Sequence, residues 1–155
     1  MFRAITAAAL FSALSGPLFA DPSAALEVFR KTVVVNEEGK AEATYAEVTS
    51  VIPGEKLAYR ITLTNDDETA TSDITMVLPV DENLMVDPAS VASEQDITVH
   101  FSVDGVIYAE FQDLMVVEAN QTRKAEASDI SNLKVMIPEI SGYAIAAVEY
   151  EVFVE

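Results

Sequence analysis

The single histidine of this chain, His100, sits between Val99 and Phe101, and there is no cysteine. Zinc favours imidazole and thiolate donors, so a site here would need three carboxylates beside one imidazole, a poor match to a borderline-soft ion. A Ser-His-Asp triad needs only one histidine. No Gly-x-Ser-x-Gly turn exists, however, and each serine falls in a turn or on a strand. His100 therefore reads as a surface histidine. The acidic run Asp66-Asp67-Glu68, with Asp73 and Asp81-Glu82 nearby, is the one cluster able to offer several of the ~6–8 oxygens that calcium takes. It lacks the Asp-x-Asp-x-Asp-Gly loop, and turn formers are expected after a strand, so Asp66, Asp67 and Glu68 are weak calcium candidates beside the plainer reading of a solvated turn. Carboxylate pairs at glycosidase separations of ~5–9 Å arise by composition alone in a chain with 26 acidic residues, and carry no information. Glu149, Glu151 and Glu155 share one face of the last strand, predicted to be solvated; in a dry setting they would raise one another's pKa. Arg60 and Lys134 are the plausible cross-strand partners for them. No catalytic residue, cofactor site or firm metal site is expected.

The elements that would position these groups are strands. After the break at Pro53-Gly54, Leu57, Tyr59, Ile61 and Leu63 fall on one face while Ala58, Arg60, Thr62 and Thr64 fall on the other. That period of two argues a central, half-buried strand of an antiparallel sheet. The same alternation predicts strands over Leu26 to Val35, more weakly over Ala41 to Val51, and over Ile74 to Pro79 and Ile97 to Val103. A short strand from Leu133 should end at Pro138, and a last strand runs from Ala146 to Val154. Asp104-Gly105, between Val103 and Val106, predicts a type I′ hairpin leading into Val106 to Tyr108. Val80 to Gln95 reads as a long connection with a fragmentary strand at most, and Phe111 to Asp129 as broken chain with one possible strand at Leu114 to Val117 before a polar stretch through Asn120. Seven to eight strands at short intervals, with no helical period after the leader, describe an all-β antiparallel β-sandwich in one domain, residues 21–155.

Residues 1–20 carry a basic start at Arg3, an apolar run from Ala4 to Leu14 and the breaker Ser15-Gly16-Pro17 before Ala20. This is the pattern of a secretory signal peptide, with cleavage expected after Ala20. Its apolar run is well short of the ~20 residues of a membrane span, so no span is expected after cleavage, and the localisation is periplasmic or secreted. The whole chain of 155 residues has 26 acidic and 9 basic residues, a net charge of −17. Such a surface repels phosphate backbones within about a Debye length of ~8 Å, which excludes nucleic acid as a partner class. A domain of this size buries roughly two-thirds of its unfolded surface and needs no disulfide.

The stretch Val51-Ile52-Pro53-Gly54-Glu55, the strand Tyr59 to Asn65 ending Thr-Asn, the segments Ile74 to Pro79 and Asp87 to Ser90, and the closing strands Ile130 to Pro138 and Val148 to Val154 together resemble the domain of unknown function 11 (DUF11) family of bacterial and archaeal surface proteins. The resemblance implies an immunoglobulin-like or prealbumin-like sandwich in an envelope or secreted protein, with no catalytic residues to carry over. That family commonly occurs as tandem copies, whereas one copy and only 5 glycines are present here, which points to a free module rather than a spacer. The expected function is a non-enzymatic exported module that binds or assembles with an envelope protein or polysaccharide. It would use the loops 66–72, 80–95 and 118–129, or add a partner strand along an exposed edge. The alternatives are a small periplasmic hydrolase, recognisable by a pocket with converging carboxylates or His100, and a structural subunit of a surface polymer.

Overall fold

The computed structural model describes residues 22–119 and 121–155; the predicted leader, Asp21 and Asn120 lie outside them. The alternating stretch after Pro53-Gly54 forms β3 (Lys56–Thr64), with Leu57, Tyr59, Ile61 and Leu63 all buried. It lies between β1 (Ser23–Val35) and β11 (Ile145–Val154), both antiparallel to it. Beyond β1 lies β2 (Ala41–Glu47), and beyond β11 lie β5 (Leu84–Val86) and β6 (Ala92–Ser93). A second sheet places β10 (Asn132–Ile140) between β4 (Thr71–Pro79) and β7 (Thr98–Ser102), and β8 (Met115–Glu118) pairs with β9 (Gln121–Lys124) as a separate hairpin. The inner faces of the two sheets meet in one core, where Leu63, Val86, Leu133, Val135 and Val148 are fully enclosed and Tyr59 stacks on Tyr150 with ring centroids 5.4 Å apart. Each such aliphatic side chain contributes about 1.5–3 kcal/mol by leaving water. The molecule is an antiparallel β-sandwich, and among the described residues no helix is long and apolar enough to cross a membrane.

The Pro53-Gly54-Glu55 motif has a use for each residue. Glu55 N–H closes a turn on the Ile52 carbonyl (3.2 Å) and Gly54 adopts φ +85°, the left-handed conformation that a type II turn requires after proline. The Glu55 carboxylate then binds the Arg30 guanidinium of β1 and accepts from Ile52 N–H, so it holds its charge below the usual range, with Arg30 the larger cause. The turn is thereby tied to β1 as well as to β11, whose Val154 carbonyl accepts from Gly54 N–H (2.7 Å).

Several boundaries differ from the sequence expectations, each for a local reason. Among the described residues there are eleven strand segments rather than seven or eight, because short pieces complete the edge of the large sheet and β8 and β9 form a hairpin of their own. The connection from Val80 to Gln95 holds two of them: β5 and β6 form one edge of β11, interrupted where Asp87-Pro88 begins a 3-10 turn. Proline offers no N–H to a ladder; across this break Ser90 Oγ accepts from Glu151 N–H (2.7 Å) in place of a strand carbonyl. β10 does not end at Pro138. The register continues from Ile137 opposite Ile74 to Glu139 opposite Ser72, and no β7 residue lies opposite β10 beyond Met136. β2 stops at Glu47, short of Val51.

The predicted type I′ hairpin at Asp104-Gly105 is absent. Only Gly105 has positive φ (+73°), whereas that turn requires it at both central residues. The Asp104 carboxylate accepts from Ile107 N–H (2.9 Å), Val106 N–H (2.8 Å) and Ser102 Oγ–H (3.0 Å), which withdraws two amides from any ladder. One bridge, Phe101 to Ala109, closes a wide loop instead, and Val106 and Ile107 stand in solvent.

Candidate interaction surface

β1 pairs with β3 only as far as Arg30, opposite Leu57, but continues with β2 to Val35. Residues 31–35 and 41–45 therefore form a two-stranded ribbon that overhangs the end of β3. Its tip is closed by the Asn36 to Lys40 turn, where Gly39 adopts φ +77° and Asn36 N–H donates to the Lys40 carbonyl at 2.9 Å. In antiparallel ladders, residues alternate between facing their partner's main chain and facing away. Because Asn36 and Lys40 are a bonded pair, Val34–Glu42 and Thr32–Thr44 are the next ones. Ala41, Ala43, Tyr45 and Glu47 thus turn their N–H and C=O outward along the free edge of β2. Val33 and Val35 likewise turn theirs to the opposite edge, past the start of β3. The side chains of Val33, Val35, Ala41 and Ala43 share one face of the overhang, and Val33 and Val35 remain 61% and 65% exposed. Every residue of β2 is exposed.

At its base the ribbon is held by a charged cluster on the outer face of the large sheet. The Arg60 guanidinium lies between the Phe29 and Tyr45 rings, 5.1 and 4.8 Å from their centroids, and bonds Glu149 at 2.9 Å. Tyr45 Oη donates to Glu149 at 3.0 Å, and Lys31 reaches Glu151 at 2.8 Å and Glu149 at 3.3 Å. Lys56 completes the set on Glu151 at 2.8 Å. Glu149 and Glu151 are thus not on a freely solvated face: their side chains are only 20% and 14% exposed. Burial pushes Glu149 up, but the hydrogen bonds from Arg60, Tyr45 and Lys31 outweigh it, and its pKa lies below the ordinary glutamate range. Bonds from Lys31 and then Lys56 lower that of Glu151. Depressed carboxylates stabilise the fold above their unfolded pKa of roughly 4.3 and lose that contribution as pH falls through the lower folded values. Amide exchange below pH ~4.3 should accordingly show Thr32 and Thr44, a bonded pair of the β1–β2 ladder, losing protection before Ile61 and Val148, and Glu149→Gln should weaken that acid sensitivity. Simultaneous loss at all four positions would show that the cluster does not hold the ribbon.

The remaining sequence candidates are dispersed. His100 is half-buried opposite Lys134 in the small sheet. Lys134 is not a partner of the β11 glutamates; its ammonium lies 3.9 Å from the centroid of the Tyr108 ring. Asp66 and Glu68 are exposed, while the main chain of Asp67 is engaged by Asn65 Oδ1 (3.1 Å) and Tyr143 N–H (2.8 Å). Among the described residues no group of three or more His, Asp or Glu side chains converges as a metal site, these three included. An open cleft of about 580 Å³ lies beside β8, lined by Ile107, Leu114, Met115 and the carboxylates Asp104, Asp113 and Asp129. Asp104 is taken by the amides already described. Asp129 is held by Arg123 at 2.6 Å and capped by Glu126 N–H, causes that lower its pKa to about 2.

The fold and this surface define the protein as an antiparallel β-sandwich with an overhanging, open-edged ribbon. No protein-family model, curated protein or solved structure matches the chain.

Sequence reasoning identified β1 and β2 but not the overhang, since alternation reports which residues face a sheet surface and not how far a neighbouring strand extends. The 13 residues of β1 against the 9 of β3 are set by their pairing, and no feature of the sequence marked the difference.

Proposed function

We propose that this protein is an exported, non-enzymatic module of the cell envelope, of the DUF11 kind, that binds or assembles with a protein partner by strand addition to its β1–β2 ribbon. The observation that carries this reading is the overhang itself. Exposed strand edges are ordinarily shortened, covered or blocked because they template pairing with other chains; here one is extended past its sheet, with main-chain groups open along both sides. Strand addition uses those groups for affinity and alternate side chains for specificity. The engagement of Asp104 and Asp129 in local structure favours the module over a hydrolase working in the cleft beside β8.

The test is affinity capture from the native periplasm and envelope at moderate salt, with wild type and Ala43→Pro compared. Proline is tolerated on edges, and at Ala43 it removes an outward donor without breaking a β1–β2 bond. A partner retained by wild type and lost with Ala43→Pro, at unchanged melting temperature, is the expected outcome. Equal retention by both would place binding elsewhere. Sequencing the N-terminus of the exported protein tests export separately: Asp21 is the expected first residue, and a retained Met1 would contradict cleavage.

A further inference from the structure

We infer that the occupant of this edge is an extended, cationic segment of another polypeptide. The inference rests on the strand-addition reading above and adds the chemistry of the partner. Open main-chain donors and acceptors at successive outward positions, Ala41, Ala43, Tyr45 and Glu47, match an extended backbone and not a helix, whose own groups are already bonded internally. The ribbon face carrying Val33, Val35, Ala41 and Ala43 offers small apolar side chains at strand spacing, so every second residue of the incoming segment meets an apolar surface.

Charge decides the rest. Glu37, Glu38, Glu42 and Glu47 surround the edge and are all exposed, with Asn36 donating to Glu42 (2.9 Å) without neutralising it. Lys40 is the exposed cation among them. Lys31, the other cation of the ribbon, is committed to Glu149 and Glu151 at its base. A second copy of this chain would bring its own net charge of −17 against the same edge, and like charges opposed across a ladder are destabilising. A segment alternating Lys or Arg with Val-like residues presents cations on the face of Glu42 and apolar side chains to the valine face in one register, with Glu47 at the far end of the valine face for a terminal cation. Long-range attraction to the acidic surface would also speed its encounter, an effect weakened by salt.

The experiment titrates full-length exported protein with four labelled nonapeptides, read by fluorescence anisotropy at low and moderate salt and by amide shifts at Ala41, Ala43 and Tyr45. One alternates lysine with valine; a second replaces lysine by threonine; a third replaces it by glutamate; the fourth is the lysine peptide N-methylated at every internal residue, so that neither of its edges offers main-chain donors. The lysine peptide is expected to bind with shifts along β2, about tenfold or more tighter than the threonine peptide, a difference of ~1.4 kcal/mol. The glutamate and N-methylated peptides should not bind. Equal affinity for the threonine and lysine peptides overturns the cationic partner while leaving strand addition standing. Equal binding of the N-methylated peptide, or binding of none of the four, overturns strand addition and this inference together. Glu42→Gln with Glu47→Gln should lower the lysine-peptide affinity and its salt dependence with the melting temperature unchanged; an unaltered affinity would also overturn the inference.

Discussion

Asn65→Ala is expected to lower the free energy of unfolding by about 3 kcal/mol, and Asn65→Asp by more. Asn65 closes β3 and is 1% exposed. Its amide donates to the carbonyls of Thr69 (2.8 Å), Ser141 (3.1 Å) and Ile140 (3.2 Å), and its Oδ1 accepts from Asp67 N–H. One side chain thus satisfies the main chain of the loop that leaves β3 and of the turn between β10 and β11, both at the corner where the chain passes from one sheet to the other. Alanine leaves those groups buried without partners, at about 1–3 kcal/mol for each one that water cannot reach. Aspartate costs more because a carboxylate then faces three carbonyl oxygens with no donor of its own. Urea unfolding reports both, as a fall in midpoint without a change in slope. A loss below 1 kcal/mol for Asn65→Ala would mean that water replaces the amide and that the corner is not held by it.

Gly142→Ala should cost about 2–3 kcal/mol through the same corner, by overpacking. A Cβ on Gly142 would overlap the Glu68 carbonyl group and come within 3.0 Å of the Asp67 carbonyl oxygen. Both obstacles are main chain, so no side-chain rotation relieves them; the loop must move, carrying the Asp67 carbonyl away from Tyr143 N–H. Thermal unfolding of Gly142→Ala and of Gly39→Ala separates close approach from conformational freedom. Gly39 has positive φ but nothing within 4 Å of its Cβ position, so its substitution should be the milder of the two. A larger loss at Gly39 would reverse that account. These two predictions also explain the acidic loop after β3: it is shaped by main-chain contacts to Asn65 and to the Gly142 turn, a structural use for the Asp66 to Glu68 segment.

Alternating residues made the central strand and the last one legible without coordinates. Burial of Leu57, Tyr59, Ile61 and Leu63, and of Ala146 through Val154 at every second position, follows from the two-residue repeat of a strand once one face is apolar. The Arg60 to Glu149 pair was legible for the same reason, because it joins facing residues of adjacent strands. By contrast, Asp104-Gly105 has the composition of a tight hairpin, and only the competing bonds of the Asp104 carboxylate to Val106 and Ile107 decided against it. The Asp87-Pro88 break hid β5 and β6, whose pairing depends on β11, some 60 residues further along the chain. Local period and composition suffice for the sandwich class, the core faces and the excess of negative charge. Tertiary structure alone decided that β1 outruns β3 and leaves an open ribbon, and that Glu149 and Glu151 are gathered with Lys31, Arg60 and Tyr45. Strand ends and outer-face neighbours are set by pairings between distant segments, which no local pattern encodes.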